Sequence, residues 1–149
     1  MNILVTYQSK TGFTKRYARW IGEELSCECK KLSAVDAAQI AGYELVIHGG
    51  WIMGGMINGL EKIKSFHPQK LIVFGVGFTD KKEVDMEKWR TENKLSDIPF
   101  FYYEGGMNPE KMGLMGKTMV RLVTKKKPEY VDYTKKDKIR ELVDTVKAL

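Results

Sequence analysis

The residues best suited to chemistry lie in three short glycine-bearing stretches, and the clearest is Ser9-Lys10-Thr11-Gly12-Phe13-Thr14. It stands between an apolar, β-branched run and an amphipathic segment, so it reads as the turn from a strand into a helix. The first turn of a helix leaves backbone N–H groups without intrahelical partners and carries the positive end of the helix dipole. The hydroxyls of Ser9, Thr11 and Thr14 add donors, and Gly12 lets the backbone approach closely; together these groups suit a phosphate, with no metal required. Ser, Thr and Gly also serve as plain turn and capping residues, so the loop alone leaves both readings open. Two other phosphate motifs are absent: neither G-x-x-x-x-G-K-[ST] nor the three spaced glycines of a dinucleotide fingerprint occurs. The other two stretches are Gly49-Gly50-Trp51-Ile52-Met53-Gly54-Gly55 and Gly75-Val76-Gly77-Phe78-Thr79-Asp80.

Cys27 and Cys29 sit two apart in a segment that reads as extended, which points both side chains to one face. No His or further Cys lies near enough to complete a metal set, so ordinary reduced thiols are expected and no metal centre. His48 ends an apolar strand and is expected to be a satisfied core or loop residue; His67, before Pro68, reads as a surface turn residue. The acidic residues show no pairing suited to glycosidase or protease work, and no Ser occupies a G-x-S-x-G elbow. Hydrolysis is therefore not expected, and no side chain is assigned as catalytic.

Loops of this kind need alternating strands and helices to hold them. Strands are expected over residues 2–7, 28–32, 43–48, 71–75 and 99–104, and helices over 13–25, 56–66, 82–93, 109–126 and 135–149. An Ala-rich connector at 34–41 has helical character. Central strands apolar on both faces imply a parallel sheet covered by helices on both sides and joined by right-handed crossovers. Ligands of such sheets gather outside the carboxyl ends of the strands, where all three glycine-bearing stretches fall. The 149 residues suffice for one domain with a full core, and no repeat or polar linker divides them. Apolar residues at 43% and charged residues at 30% argue for a globule and against disorder. No run nears the roughly 18 apolar residues of a membrane span, and Met1 leads straight into a strand, so a cytoplasmic protein is expected.

The first loop resembles the phosphate loop of flavodoxins, [ST]-x-T-G-x-T after the first strand, and residues 9–14 match it at every specified position. Ala18 and Ile21 in the following helix and Tyr7 before the loop continue the likeness, while Thr6 stands where a larger apolar residue is usual. The resemblance implies a flavodoxin-like three-layer α/β sandwich, one domain over residues 1–149, whose five-stranded parallel sheet has the order 2-1-3-4-5. It implies FMN as cofactor, with Ser9, Lys10, Thr11, Gly12, Phe13 and Thr14 at the phosphate. Gly50, Trp51, Ile52, Met53, Gly54 and Gly55 would line the isoalloxazine ring, and Val76, Gly77, Phe78 and Thr79 its pyrimidine edge. In flavodoxins the peptide at the place of Met53-Gly54 can turn its carbonyl to accept a hydrogen bond from reduced flavin N5. Trp51 and Met53 suit packing on the ring. Phe78 fits only loosely where many flavodoxins stack a Tyr or Trp, which would leave one flavin face open.

The function so implied is FMN-dependent redox chemistry, as an electron carrier or as a small-molecule oxidoreductase. A finer resemblance is to the flavodoxin-like branch that includes quinone-linked, oxygen-independent protoporphyrinogen oxidases. It rests on Ile52-Met53-Gly54, a third loop without Tyr or Trp, and a basic segment after the fifth strand. The residues that distinguish that branch in its basic insertion do not align here, so its activity is not carried over.

The formal charge is +6. Between Gly105 and Lys127 the ionisable residues are Lys111, Lys117, Arg121, Lys125, Lys126 and Lys127 against Glu110 alone. Met112, Leu114, Met115, Met119, Val120, Leu122 and Val123 approximate one helical face. The plain expectation is a helix packed on the core with solvated lysines. The sharper one is that 111–127 meets an anionic membrane, an acidic redox partner or a carboxylated substrate such as a porphyrin. A redox partner protein or a small-molecule or quinone substrate is the expected partner. Nucleic acid is not, because no aromatic residue interleaves the basic ones between Gly105 and Lys127. A flavin-free interaction module of the same fold is the reading from a different class, and the full donor set of the first loop argues against it.

Overall fold

Alternation along β1 (Ile3–Gln8) puts Val5 and Tyr7 on one face and Leu4 and Thr6 on the other, and all four are buried. β3 (Leu45–Met53) divides in the same way, Ile47 to one side and Val46 and His48 to the other. Strands buried on both faces belong to a parallel sheet beneath two helical layers. The computed structural model, which describes residues 1–149, has that arrangement. With β2 (Glu28–Lys31), β5 (Leu71–Gly77) and β6 (Phe100–Glu104), the parallel order is β2-β1-β3-β5-β6, the expected 2-1-3-4-5 topology. The short β4 (Met56–Ile57) joins as an antiparallel partner of β3.

One layer consists of α1 (Phe13–Leu25) and α6 (Arg140–Lys147). Phe13, Tyr17 and Ile21 recur every four residues, so they share a face, and they meet Val5, Ile47 and Phe74 of the sheet together with Leu142, Val143 and Val146 of α6. The other layer holds α2 (Ala37–Ala41), α3 (Leu60–Ser65) and α4 (Met86–Glu92), which cover Leu4, Val46 and Val73 with Ile40, Leu60, Ile63 and Trp89. Each fully buried aliphatic side chain contributes roughly 1.5–3 kcal/mol. The Ala-rich connector becomes α2 because Asp36 and Gln39 form a reciprocal capping box. Three expected helices each divide into a short 3-10 turn and an α-helix: Lys81–Glu83 before α4, Pro109–Lys111 before α5 (Leu114–Thr124), and Lys136–Ile139 before α6.

The glycine-dense segment after His48, expected as a loop, is strand as far as Met53. A Cβ on Gly49 would lie 2.0 Å from the Phe74 ring, and one on Gly50 would lie 2.0 Å from the Asn58 carbonyl oxygen. Glycine here marks a strand that other groups approach closely. The chain reverses at Gly54 and Gly55, which have φ of 57° and 81°, into β4, so α3 begins at Leu60 and not at residue 56.

A second correction concerns residues 105–134. β7 (Gly106–Met107) and β8 (Val131–Asp132) form a separate antiparallel ribbon, and α5 lies in the chain between them. The expectation of a core-packing helix fails: α5 has no buried residue, and Met115 is 88% exposed. Both faces of the sheet are already covered, which leaves this apolar helix no core to join. The ribbon is instead tied to α1, where Arg16 donates to the Asp132 carboxylate and to the Thr134 hydroxyl at 2.8 Å. No helix is long and apolar enough to cross a membrane.

Candidate functional site

At the carboxyl end of β1 the chain turns at Gly12, whose φ of 99° and ψ of −13° place it in the left-handed region. The Gly12 N–H donates to Ser9 Oγ at 3.0 Å, so Ser9 braces the loop while its own hydroxyl hydrogen remains to donate. No side chain caps α1 and its first turn carries no acidic residue. The leading amides are left for another acceptor, at the positive end of the helix dipole. Thr14 is buried on the first turn, and Thr11 is half-buried in the loop.

This loop forms one end of a cleft of about 500 Å³, a volume within the range of small-molecule sites. Lys10, Thr11, Phe13 and Thr14 line it from the first loop, Trp51, Ile52, Met53 and Gly54 from the β3–β4 hairpin, and Val76, Gly77 and Phe78 from the end of β5. The three stretches singled out in the sequence therefore converge. Five of the expected site residues are not on the wall. Ser9 supports the loop from behind, and Gly12 faces a neighbouring groove. Gly50 is packed under Asn58, and Gly55 faces Trp89 and Glu92. The Thr79 carbonyl accepts the Tyr102 hydroxyl at 2.6 Å.

The remaining wall comes from the segment after β6: Gly105, Gly106, Met107 and Asn108 at the ribbon, and Met112, Gly116, Met119, Val120, Val123 and Thr124 from the α5 region. From the sequence, residues 111–127 are expected on the core or against a membrane, an acidic partner or a carboxylated substrate, and none of these wall residues is placed beside the three glycine-bearing stretches. Their signal was the Met-rich apolar face, which looks alike whether it meets a core or a cleft.

Inside the cleft wall the Trp51 indole N–H is buried without an acceptor. Nothing lies within 4 Å of a Cβ built on Gly54, so the peptide there has room to turn. Phe78 is 45% exposed, with its ring centroid 5.9 Å from that of Tyr133. An anion-ready helix start, an orphaned donor and an apolar wall fit a ligand with a phosphorylated tail and a flat aromatic head carrying polar edges.

The titratable groups nearby are structural. His48 is fully buried: its Nδ1 lies 3.0 Å from Thr6 Oγ1 and its Nε2 3.0 Å from the Asn58 carbonyl. Burial drives its pKa down to about 4. Away from the cleft, Cys27 and Cys29 pack against the α1-side core, and burial pushes both thiols up to about 11.

The sequence profile of a flavodoxin domain matches residues 4–134. The chain belongs to the flavodoxin-domain family. The matched span runs from β1 to the ribbon and takes in all three loops of the cleft. No curated protein is significantly similar to it in sequence. A flavodoxin from the domain Archaea superposes on this flavodoxin domain with a TM-score of 0.53 at 16% identity, over 74% of this chain and 88% of that one. Flavodoxin 2 from Bacillus cereus gives 0.51 at 23% identity, over 70% and 84%. The flavodiiron core of Flv1 from Synechocystis sp. PCC6803 gives 0.51 at 16% identity, over 70% of this chain and 30% of that one. At such identities the likeness is one of fold. This flavodoxin domain has the fold of those proteins, with α5 standing outside both of its helical layers.

Proposed function

We propose that this flavodoxin domain binds FMN non-covalently and serves as a redox protein. The observation that carries the reading is the uncapped start of α1 opening into one end of an apolar cleft walled by the hairpin and the β5 loop. Thr11, Thr14 and the leading amides of α1 would hold the phosphate. Trp51, Met53 and Phe78 would flank the ring, and the Val76-Gly77 backbone would meet its polar edge. When bound, FMN supplies the one- and two-electron chemistry. The cleft wall would orient it and shield it from water, and the open space at Gly54 would let that peptide turn towards it.

The test is titration of the flavin-free protein with FMN and riboflavin, followed by fluorescence quenching, on the wild type and on Thr11→Ala/Thr14→Ala. Tight FMN binding that riboflavin does not match, and that the double variant loses, supports the reading. No binding of either flavin overturns it.

A second reading, in which the bound flavin reacts directly with a small molecule, is favoured by the roof. Met119 and Val123 line the cleft yet are 63% and 75% exposed, so α5 stands off and leaves room above the floor for a flat apolar substrate. A quinone has that shape. Anaerobic reduction of the FMN-loaded protein by a quinol or a porphyrinogen, set against a reduced ferredoxin, separates enzyme from carrier. The basic segment 111–127 is the surface we assign to the partner, an acidic redox protein or an anionic membrane; co-sedimentation with anionic vesicles distinguishes the two.

A further inference from the structure

A groove of about 400 Å³ runs along the outer side of α1 just beyond the first loop. It shares Thr11, Phe13 and Asn108 with the cleft, so a ligand held at the loop can continue into it. Lys15, Arg16, Arg19 and Lys111 line it against Glu23 alone. Arg16 is engaged with Asp132, which leaves three cations uncommitted on this wall. Lys15 and Arg19 are one helical turn apart, where like charges oppose each other. Lys111 reaches over from the 3-10 turn before α5, its Nζ 3.8 Å from the position of a Cβ on Gly12. Such an arrangement is relieved by an anion, and planar donors such as Arg19 match a phosphate. The same groove offers aromatic faces at Trp20 and Tyr130. Trp20 meets Tyr17 edge to face, at 81°, and Tyr130 is mostly exposed.

We propose that the groove binds a purine nucleotide phosphate beside the flavin phosphate. The purine would lie against Trp20 or Tyr130, and the phosphate would sit among Lys15, Arg19 and Lys111. Two sources have this chemistry. One is the AMP half of FAD, running on from the first loop; this case rests on the flavin reading above. The other is a free adenine nucleotide, which does not.

The experiment uses the full chain and the variant Lys15→Gln/Arg19→Gln, whose side chains lie on the surface of α1 and outside the cleft. FMN, FAD and AMP are titrated separately into flavin-free protein, and AMP is also titrated into FMN-loaded protein. Circular dichroism melting confirms that the variant folds. If the AMP half of FAD is the occupant, wild type binds FAD at least as tightly as FMN, and the variant weakens FAD by about tenfold or more while FMN changes by less than about threefold. If a free nucleotide is the occupant, AMP binds saturably with or without FMN, and the variant loses that binding. The proposal is overturned when AMP fails to bind and the variant weakens FAD no more than FMN. Tight FMN binding in that case leaves the flavin reading intact and removes only the groove.

Discussion

Asn93, 1% exposed at the end of α4, accepts the backbone N–H of Ile57 on its Oδ1 at 2.9 Å. Its Nδ2 donates to the carbonyls of Gly55 and Trp89, each at 2.8 Å. One side chain thus fastens the β3–β4 turn to the helical layer behind it and leaves Gly54 as the loose link at the cleft. Asn93→Leu would bury an amide and a carbonyl without partners, with an expected loss of roughly 2–4 kcal/mol in urea unfolding. A loss under about 1 kcal/mol would show that the hairpin keeps its place without the clamp.

His48 makes stability depend on pH. The Asn58 carbonyl can only accept, so Nε2 carries the proton and Nδ1 accepts the Thr6 hydroxyl. The folded pKa is lowered to about 4 from 6.5, so between those values the unfolded chain binds the extra proton and the folded one does not. Stability is therefore full above pH 6.5, falls as the pH drops towards 4, and takes no further loss from this group below that. The loss amounts to about 3 kcal/mol. Urea denaturation from pH 7.5 to 4 should show a steeper decline for wild type than for His48→Gln; parallel curves would mean that His48 is protonated in the folded protein.

Arg16→Ala should loosen the ribbon without unfolding the sandwich. The Arg16 side chain is 41% exposed, so its bond to Asp132 is expected to contribute less than about 1 kcal/mol to global stability. Its effect is local, because it ties β8 to α1. Trypsin cleavage at Lys117 and Arg121 should rise several-fold while the melting temperature moves little. Unchanged cleavage would show that the ribbon and α5 are held by other contacts.

A charge on the cleft side of α5 separates a roof from a bystander. Val123→Glu alters a mostly exposed side chain and should change stability by no more than about 0.5 kcal/mol. If α5 roofs the bound cofactor, FMN affinity or the flavin absorption band shifts. If both stay as in wild type, the helix does not come near the ring.

The sandwich was readable because its signals are local. Leu4, Val5, Thr6 and Tyr7 assign both sides of β1 by alternation alone, and Phe13, Tyr17 and Ile21 assign the inner face of α1. The turn of the first loop was readable because Ser9 and Gly12 shape it where they stand. What escaped depends on partners distant in sequence. Gly49 and Gly50 read as loop until Phe74 and the Asn58 backbone are seen to occupy the places of their side chains. The strands of the ribbon are two residues each, too short for any periodicity to appear. The apolar face of α5 was legible as a face, but its counterpart was not, since only the finished sandwich shows that no core is left for it.

The Tyr133 N–H donates to the Gly105 carbonyl at 2.8 Å, so the chain leaves the sandwich and returns to it at one point on the rim. No residue of 106–132 belongs to either core. The segment is in effect a cassette: the sheet and both helical layers close without it, while it supplies one wall of the cleft. Grafting a different cassette at this seam would give the same floor a new ceiling, and with it a new choice of what reaches the site.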